Sequence, residues 1–377
     1  MTSHLDRSKR VVVKVGSALL VDAASGTVKS DWLATLASDL AELKKRGKEV
    51  IVVSSGAIAL GRRALKLKSG TLRLEESQAA AAAGQIRLAQ AYVDAFRAHD
   101  LAVAQVLLTL EDTEQRRRYL NARETLTTLI ALNAIPVINE NDTVATAEIR
   151  YGDNDRLGAR VASMIEADCL VLLSDIDGLY SANPQRDTNA RHIPEVRAIT
   201  AEIERMAEGP VSGFSKGGME SKIAAAKIAT AAGASVIIAS GHVMHPLRSI
   251  ADARSTLFLA RINPTQARKR WIAGGLSAQG TIVIDAGAER ALRSGKSLLP
   301  VGVKTVTGTF ERGDAVVLKS EDGRELGRGL VAYDAADARS LAGRRTVEIE
   351  AILGYRGRDE MIHRDDLALN SDGQDPP

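Results

Sequence analysis

Residues 11–17 read VVVKVGS, four valines interrupted by one lysine and followed by Gly16 and Ser17. A short, continuous apolar block without in/out alternation is how a strand covered on both faces of a parallel sheet reads. Lys14 is the exception within it. An ammonium in such a strand is costly to bury unless something anionic meets it. Gly16 and Ser17 fall where the chain leaves the sheet, and their backbone N–H groups suit an anion-binding concavity. The alternative is a strand-end lysine that snorkels to water.

The same kind of block recurs outward from this one, at Val50–Val53, Leu101–Leu108, Ile135–Ile138, Leu170–Leu173 and Val236–Ala239. Between these blocks lie stretches rich in Ala and other helix formers: Asp31–Arg46, Glu76–Arg97, Thr113–Leu132 and Met219–Ala232. Strand–helix alternation of this kind predicts an α/β fold over residues 1–260. Its sheet is open, mainly parallel and sandwiched by helices, with ligands at the carboxyl ends of the strands. The stretch RINPTQARKRWIAGG, with its proline, basic run and paired glycines, reads as a linker over 261–276. Short β-branched runs then mark a small, mostly β domain over 277–358: Thr281–Ile284, Val303–Val306, Ala315–Leu318 and Gly327–Tyr333. Asp322-Gly323 supplies a hairpin turn between the last two. Residues 359–377 form a tail. Its part after Arg364, DDLALNSDGQDPP, is polar and ends in two prolines, so disorder is expected there.

Composition narrows the partners. The chain has 377 residues, 45% hydrophobic and 26% charged, enough for packed cores and far from a disordered profile. Aromatics reach only 3%, so platforms for stacking bases are scarce. Fifty Lys and Arg against 47 Asp and Glu leave +3, too balanced to point to nucleic acid or membrane as the main partner. The single Cys169 excludes an internal disulfide and a multi-cysteine zinc site, which fits a reducing compartment. MTSHLDRSKR lacks the apolar core of a signal peptide, and no apolar run approaches the length of a membrane span. A cytoplasmic location is the expectation.

Chemistry concentrates in loops that follow strands. The sequence holds neither G-x-x-x-x-G-K-[ST] nor a G-x-G-x-x-G after the first strand, which argues against a P-loop ATPase and a Rossmann dehydrogenase. Ser54-Ser55-Gly56-Ala57 opens a helix and lets a ligand approach its N-terminus, or is an ordinary turn with a serine cap. After Ile138 comes NENDTVATAEIRYGDNDRLGARVAS, which crowds Glu140, Asp142, Glu148, Asp153 and Asp155 together with Asn139, Asn141 and Asn154. Such a loop suits an ammonium or a magnesium–phosphate complex; the plainer reading is a solvated acidic loop capping a helix from Arg156 to Glu166. Gly217-Gly218-Met219-Glu220-Ser221-Lys222 offers free N–H groups, a helix dipole and a cation to an anion, or is a hinge followed by a solvated lysine. The turn from Ser174 and Asp175 to Tyr180 lines a nucleotide pocket or is simple Asp/Gly turn chemistry. Arg116–Arg118 reads as a solvated helix face, with an RNA or subunit contact as the minority view, and Cys169 as packing. None of the 6 His has a metal-ligand spacing.

Together these loops supply two lysines, two glycine-lined anion sites and an acidic cluster, without a histidine base. Phosphoryl transfer to a carboxylate needs that set. A side-chain carboxyl with a pKa of about 4.3 is already ionised at neutral pH, so no general base is required. Catalysis reduces to alignment and to neutralising charge on the transferred phosphoryl.

The runs VVVKVGS, VVSSGAIALG, LLTLEDTEQRRRYLNARETL, PVINENDTVATAEIRYGDNDRLGA, LLSDIDGLY, GGMESKIAAA and RKRW resemble the amino-acid kinase family, in its branch with a C-terminal PUA domain. The resemblance covers nearly the whole chain. It implies ATP-dependent phosphorylation of the L-glutamate γ-carboxylate, the first step of proline biosynthesis, with proline as feedback inhibitor. Carried over by motif, Lys14 and Lys222 stabilise the transferring phosphoryl and Asp155 holds both lysines. Ser55, Asp142 and Asn154 bind glutamate. Lys14, Gly16, Ser174, Asp175 and the segment Lys216, Gly217, Gly218, Met219, Glu220, Ser221 and Lys222 contact ATP, with Mg²⁺ carried on the nucleotide and no protein ligand to it assigned. Lys216 departs from the family pattern, which has a small residue or Thr before GGM. The resemblance also implies a homo-oligomer, dimer or tetramer, and a glutamyl-phosphate reductase as functional partner. Two rivals stand beside it. One is another acceptor within the family, N-acetylglutamate or aspartate, and an N-acetylated acceptor has no ammonium for the acidic loop to neutralise. RNA binding through residues 277–358 is weighed down by the few aromatics and the balanced charge, and kept open by RKRW and Arg339–Arg345.

Overall fold

The computed structural model describes residues 4–68, 70–144, 154–184, 186–207, 218–274 and 276–370, so Glu148, Asp153, Lys216 and Gly217 lie outside the described residues. The chain divides into two units, Met1–Pro264 and Thr265–Pro377.

In the first unit the strands are β1 (Arg10–Val15), β2 (Glu49–Ser54), β3 (Val103–Leu108), β4 (Ile135–Glu140), β5 (Cys169–Ser174), β6 (Leu179–Tyr180), β7 (His192–Ile193), β8 (Glu195–Val196), β9 (Ser235–Ser240) and β10 (Ser255–Phe258). Eight of them form one sheet in the order β3-β4-β2-β1-β5-β9-β10-β8, while β6 and β7 pair separately. Neighbours are parallel except β9 and β10. The VVVKV block therefore lies mid-sheet, with Lys14 opposite Val53 of β2 and Leu172 of β5.

Alternate residues of each buried strand feed two cores, as the period of two requires. Val11, Val13 and Val15 pack with Val50 and Val52 against Trp32, Leu36 and Leu40 of the helix Ser30–Lys45 and against Leu88, Tyr92 and Phe96 of the helix Leu74–Arg97. Val12, on the other face with Lys14, packs with Ile51, Leu170 and Leu172 against Leu157 and Val161 of the helix Asn154–Met164 and Ile223 and Ala226 of the helix Met219–Ala231. Burial on both faces is why the sequence shows apolar runs here in place of alternation.

Two glycines set the closest helix crossing. A Cβ on Gly61, in the helix Ala57–Ala64, would sit 1.6 Å from the carbonyl oxygen of Ala80, and one on Gly84 would sit 1.8 Å from that of Ala57. The backbones touch because neither residue has a side chain. This contact anchors the helix that follows the Ser54-Ser55-Gly56 turn. The stretch Thr113–Leu132, expected as one helix, is two: Leu110–Glu114 and Arg116–Ala131, separated by Gln115 in extended conformation. The first starts earlier than expected because Thr109 and Asp112 form a reciprocal capping box.

The second unit holds β11 (Gly280–Ile284), β12 (Val303–Gly308), β13 (Ala315–Ser320), β14 (Glu325–Leu330) and β15 (Leu367–Leu369), in the order β12-β11-β13-β14-β15. Gly323, at φ +88°, turns the β13–β14 hairpin where Asp322-Gly323 had suggested one. The stretch 261–276 contains the helix Pro264–Gly274. Pro264 sits at its first position, where a missing N–H costs nothing, so the proline begins a helix there. Ile272 from that helix is buried with Ala315, Leu330 and Ala368, and the buried Arg268 pairs with Asp366. The expectation of disorder after Arg364 is corrected by the same contacts. Leu367 and Ala368 are buried in β15, hydrogen-bonded to β14, and the polar neighbours that suggested disorder include the Asp366 that Arg268 holds. Residues 371–377 lie outside the described residues.

The glycine crossing gives a direct expectation. Gly61→Ala improves helix propensity by up to about 1 kcal/mol, but its methyl collides with backbone, and overpacking of that kind costs about 1–3 kcal/mol or more. Urea unfolding is expected to show a net loss of stability. An unchanged or raised midpoint would mean that the two helices are not held at this distance.

Candidate active site

Asp155 stands in the first turn of the helix Asn154–Met164, above β1, and none of its surface is exposed. Its Oδ1 lies 2.5 Å from Lys14 Nζ and its Oδ2 lies 3.0 Å from Lys222 Nζ. Both lysines are themselves buried. Lys14 reaches the carboxylate by passing under Gly158, where a Cβ would lie 3.4 Å from the lysine Cβ. Lys222 comes from the first turn of the helix Met219–Ala231. Burial alone would push the Asp155 carboxyl up. The two ammonium charges and their hydrogen bonds outweigh it and hold the group below the usual carboxylate range. The carboxylate is therefore an anion at neutral pH, held between two lysine ammonium groups. Desolvating three charges makes such a cluster a poor source of stability. Its chemistry suits an anion brought to the strand ends.

A second constellation occupies the carboxyl ends of β2 and β4. Asn154 Nδ2 donates to Ser55 Oγ at 2.5 Å and to the Ser54 carbonyl and Asn139 Oδ1, each at 3.4 Å. Asn154 Oδ1 is buried and has no hydrogen-bond partner among the described residues. Asn139 Nδ2 donates to Gln85 Oε1 at 2.8 Å, and Tyr92 O–H donates to Ser54 Oγ at 2.9 Å. Gly56 turns the chain with φ +110°, a left-handed conformation that favours glycine. Asp142 follows β4 directly, in the turn through Asn141 and Thr143.

The expected nucleotide residues separate into two groups. Ser174 ends β5, with its Oγ donating to Asp175 Oδ1 at 2.8 Å, and its carbonyl accepts the Gly241 N–H at 2.7 Å. Gly218 caps the helix Met219–Ala231 without a side-chain hydrogen bond, and Ser221 Oγ, buried in the first turn, has no partner among the described residues. Gly16 lies directly after β1 and caps the single turn Ser17–Leu20. Among the described residues, no group of three or more His, Cys, Asp or Glu side chains is placed to hold a metal ion. Arg117 and Arg118 are exposed, while Cys169 is fully buried and burial pushes its thiol up to about 12.

Two residues escaped the sequence reading, Gln85 and Tyr92. Both sit inside a long helical stretch, away from any strand-end loop. The available signal was Tyr92 on the apolar stripe with Leu88 and Phe96, since a buried phenol requires a hydrogen-bond partner.

Residues 9–240 match the family model of the amino acid kinase family, and residues 280–353 match that of the PUA domain. The chain is similar to a glutamate 5-kinase of Paramagnetospirillum magneticum, 60% identical over 368 residues that cover 97% of this chain and 99% of the relative. It is likewise 60% identical to a glutamate 5-kinase of a Bradyrhizobium species, over 98% of both chains. A glutamate 5-kinase of Sinorhizobium fredii is 59% identical over 97% of this chain and 93% of its own. Because the family match runs from the strand that carries Lys14 through β9, and full-length relatives align from end to end, the protein belongs to the amino acid kinase family and carries a PUA domain C-terminal to its kinase domain.

Proposed function

We propose that the protein transfers the γ-phosphoryl group of ATP to the γ-carboxylate of L-glutamate, forming L-glutamyl 5-phosphate and ADP, the first step of proline biosynthesis. The observation that carries this reading is the grip of Asp155 on Lys14 and Lys222, which fixes two cations side by side. A γ-carboxylate oxygen attacks the γ-phosphorus while the bond to the β-phosphate oxygen breaks, and the electron pair leaves with ADP. No proton moves, which fits a site whose central groups are two lysines and an ionised carboxylate. Lys14 and Lys222 neutralise charge on the transferring phosphoryl, and Asp155 keeps them from collapsing onto other anions. The open N–H groups at Gly218–Ser221, with Gly16, Ser174 and Asp175, suit the nucleotide.

On the acceptor side Ser55, Asn154 and Asp142 take glutamate. The unsatisfied Asn154 Oδ1 supports an ammonium donor there, and the Asp142 carboxylate supplies its countercharge. An N-acetylated acceptor has no positive charge for Asp142 to meet. Mg²⁺ enters with the ATP phosphates, which supply the oxygen donors it prefers. The same reading takes proline as an inhibitor, a homo-oligomer as the working form and a glutamyl-phosphate reductase as the consumer of the labile product.

Hydroxylamine traps acyl phosphates as hydroxamates. With ATP, a hydroxamate is expected from L-glutamate and not from N-acetylglutamate or aspartate, and a product from either of the others would overturn the acceptor assignment. Lys14→Ala and Lys222→Ala are each expected to lower kcat by about 100-fold or more, comparable to losing a charge-stabilising donor. Near-normal turnover in either would remove that lysine from the mechanism. Asp142→Asn is expected mainly to raise the KM for glutamate, and an unchanged KM would reject its role toward the ammonium.

A further inference from the structure

The geometry points to Gln85 and Tyr92, both on the helix Leu74–Arg97, as positioning residues that set the shape of the acceptor pocket. This deepens the glutamate reading and rests on it. The two side chains are seven positions apart, two helical turns, and so project from one face of the helix. That face packs beneath the sheet on the side opposite Lys14, among Leu88 and Phe96.

Each residue fixes the orientation of one group in the pocket. The buried Tyr92 O–H donates to Ser54 Oγ at 2.9 Å, and Ser54 Oγ in turn donates to the Ser55 carbonyl at 3.1 Å. With the phenol occupying a lone pair of Ser54, the serine proton is directed at Ser55. This orients the peptide between Ser55 and Gly56, hence the Ser55 side chain. Gln85 Oε1 accepts from Asn139 Nδ2 at 2.8 Å, which turns Asn139 Oδ1 toward Asn154 Nδ2. Asn154 Nδ2 is then shared between Asn139 Oδ1, Ser55 Oγ and the Ser54 carbonyl, and its Oδ1 is left for a substrate donor. Both hydrogen-bond chains end on Ser55 and Asn154, and among the described residues neither reaches Lys14, Asp155 or Lys222. The contact of Gly61 with Gly84, the neighbour of Gln85, keeps the helix at the distance the chains require.

The test is steady-state kinetics of the full chain with Tyr92→Phe, Gln85→Met and Gln85→Glu. Tyr92→Phe and Gln85→Met each remove one neutral hydrogen bond. Each is expected to raise the KM for glutamate about 5-fold, with the KM for ATP and kcat changed by less than about 2-fold. Gln85→Glu keeps an acceptor for Asn139 and is expected to stay near the parent KM. Unchanged KM for glutamate in both loss variants would overturn the inference. So would an equal rise in both KM values together with a lowered melting temperature, which marks general loosening. Should Tyr92→Phe fail to fold, the Gln85 pair alone decides by the same criteria. A parent enzyme that forms no hydroxamate from glutamate would instead sink the glutamate reading, and this inference with it.

Discussion

The fold is organised around a charge constraint, two lysine ammonium groups that must share one carboxylate. Lys14 cannot lie in a central strand, nor Lys222 in a buried helical turn, unless an anion meets them, and Asp155 meets both, at 2.5 and 3.0 Å. Three elements are fixed by that requirement: β1, the start of the helix Asn154–Met164 and the start of the helix Met219–Ala231. Their convergence places two cations together at the carboxyl edge of the sheet. There helix N-termini and free backbone N–H groups also favour anions.

The sheet divides the work of the site. On one face lie Lys14, Gly158 and the two helices that carry Asp155 and Lys222. From the other face the helix Leu74–Arg97 reaches the last residues of β2 and β4 through Tyr92 and Gln85. Asn154 and Asp155 are consecutive, so the first turn of one helix hands one side chain to the acceptor pocket and the next to the lysines. A shift of that turn would disturb both halves.

Much of this was legible in the sequence. The valine block with its single lysine foretold a central strand with a charge to satisfy, and the strand-end loops foretold that Ser55 would follow one strand and Ser174 end another. That Asp155 bridges the lysines came from the family resemblance, because no spacing rule relates positions 14, 155 and 222. The supports at Gln85 and Tyr92 were invisible to a reading that searched loops, since their partners are set by how a helix lies against strand ends. Pro264 was read as punctuation although proline is also a helix opener, and only the burial of Ile272 distinguishes the two. The polar tail hid β15 because three residues are too few to show an alternation.

The most direct test of the central interaction is the turnover of Asp155→Asn, measured with calorimetric binding of glutamate. The amide keeps the shape and removes the charge that both ammonium groups share. Turnover is expected to fall by about 100-fold or more, with glutamate binding largely kept. Turnover within a few fold of the parent would contradict the claim that one carboxylate holds both lysines for catalysis.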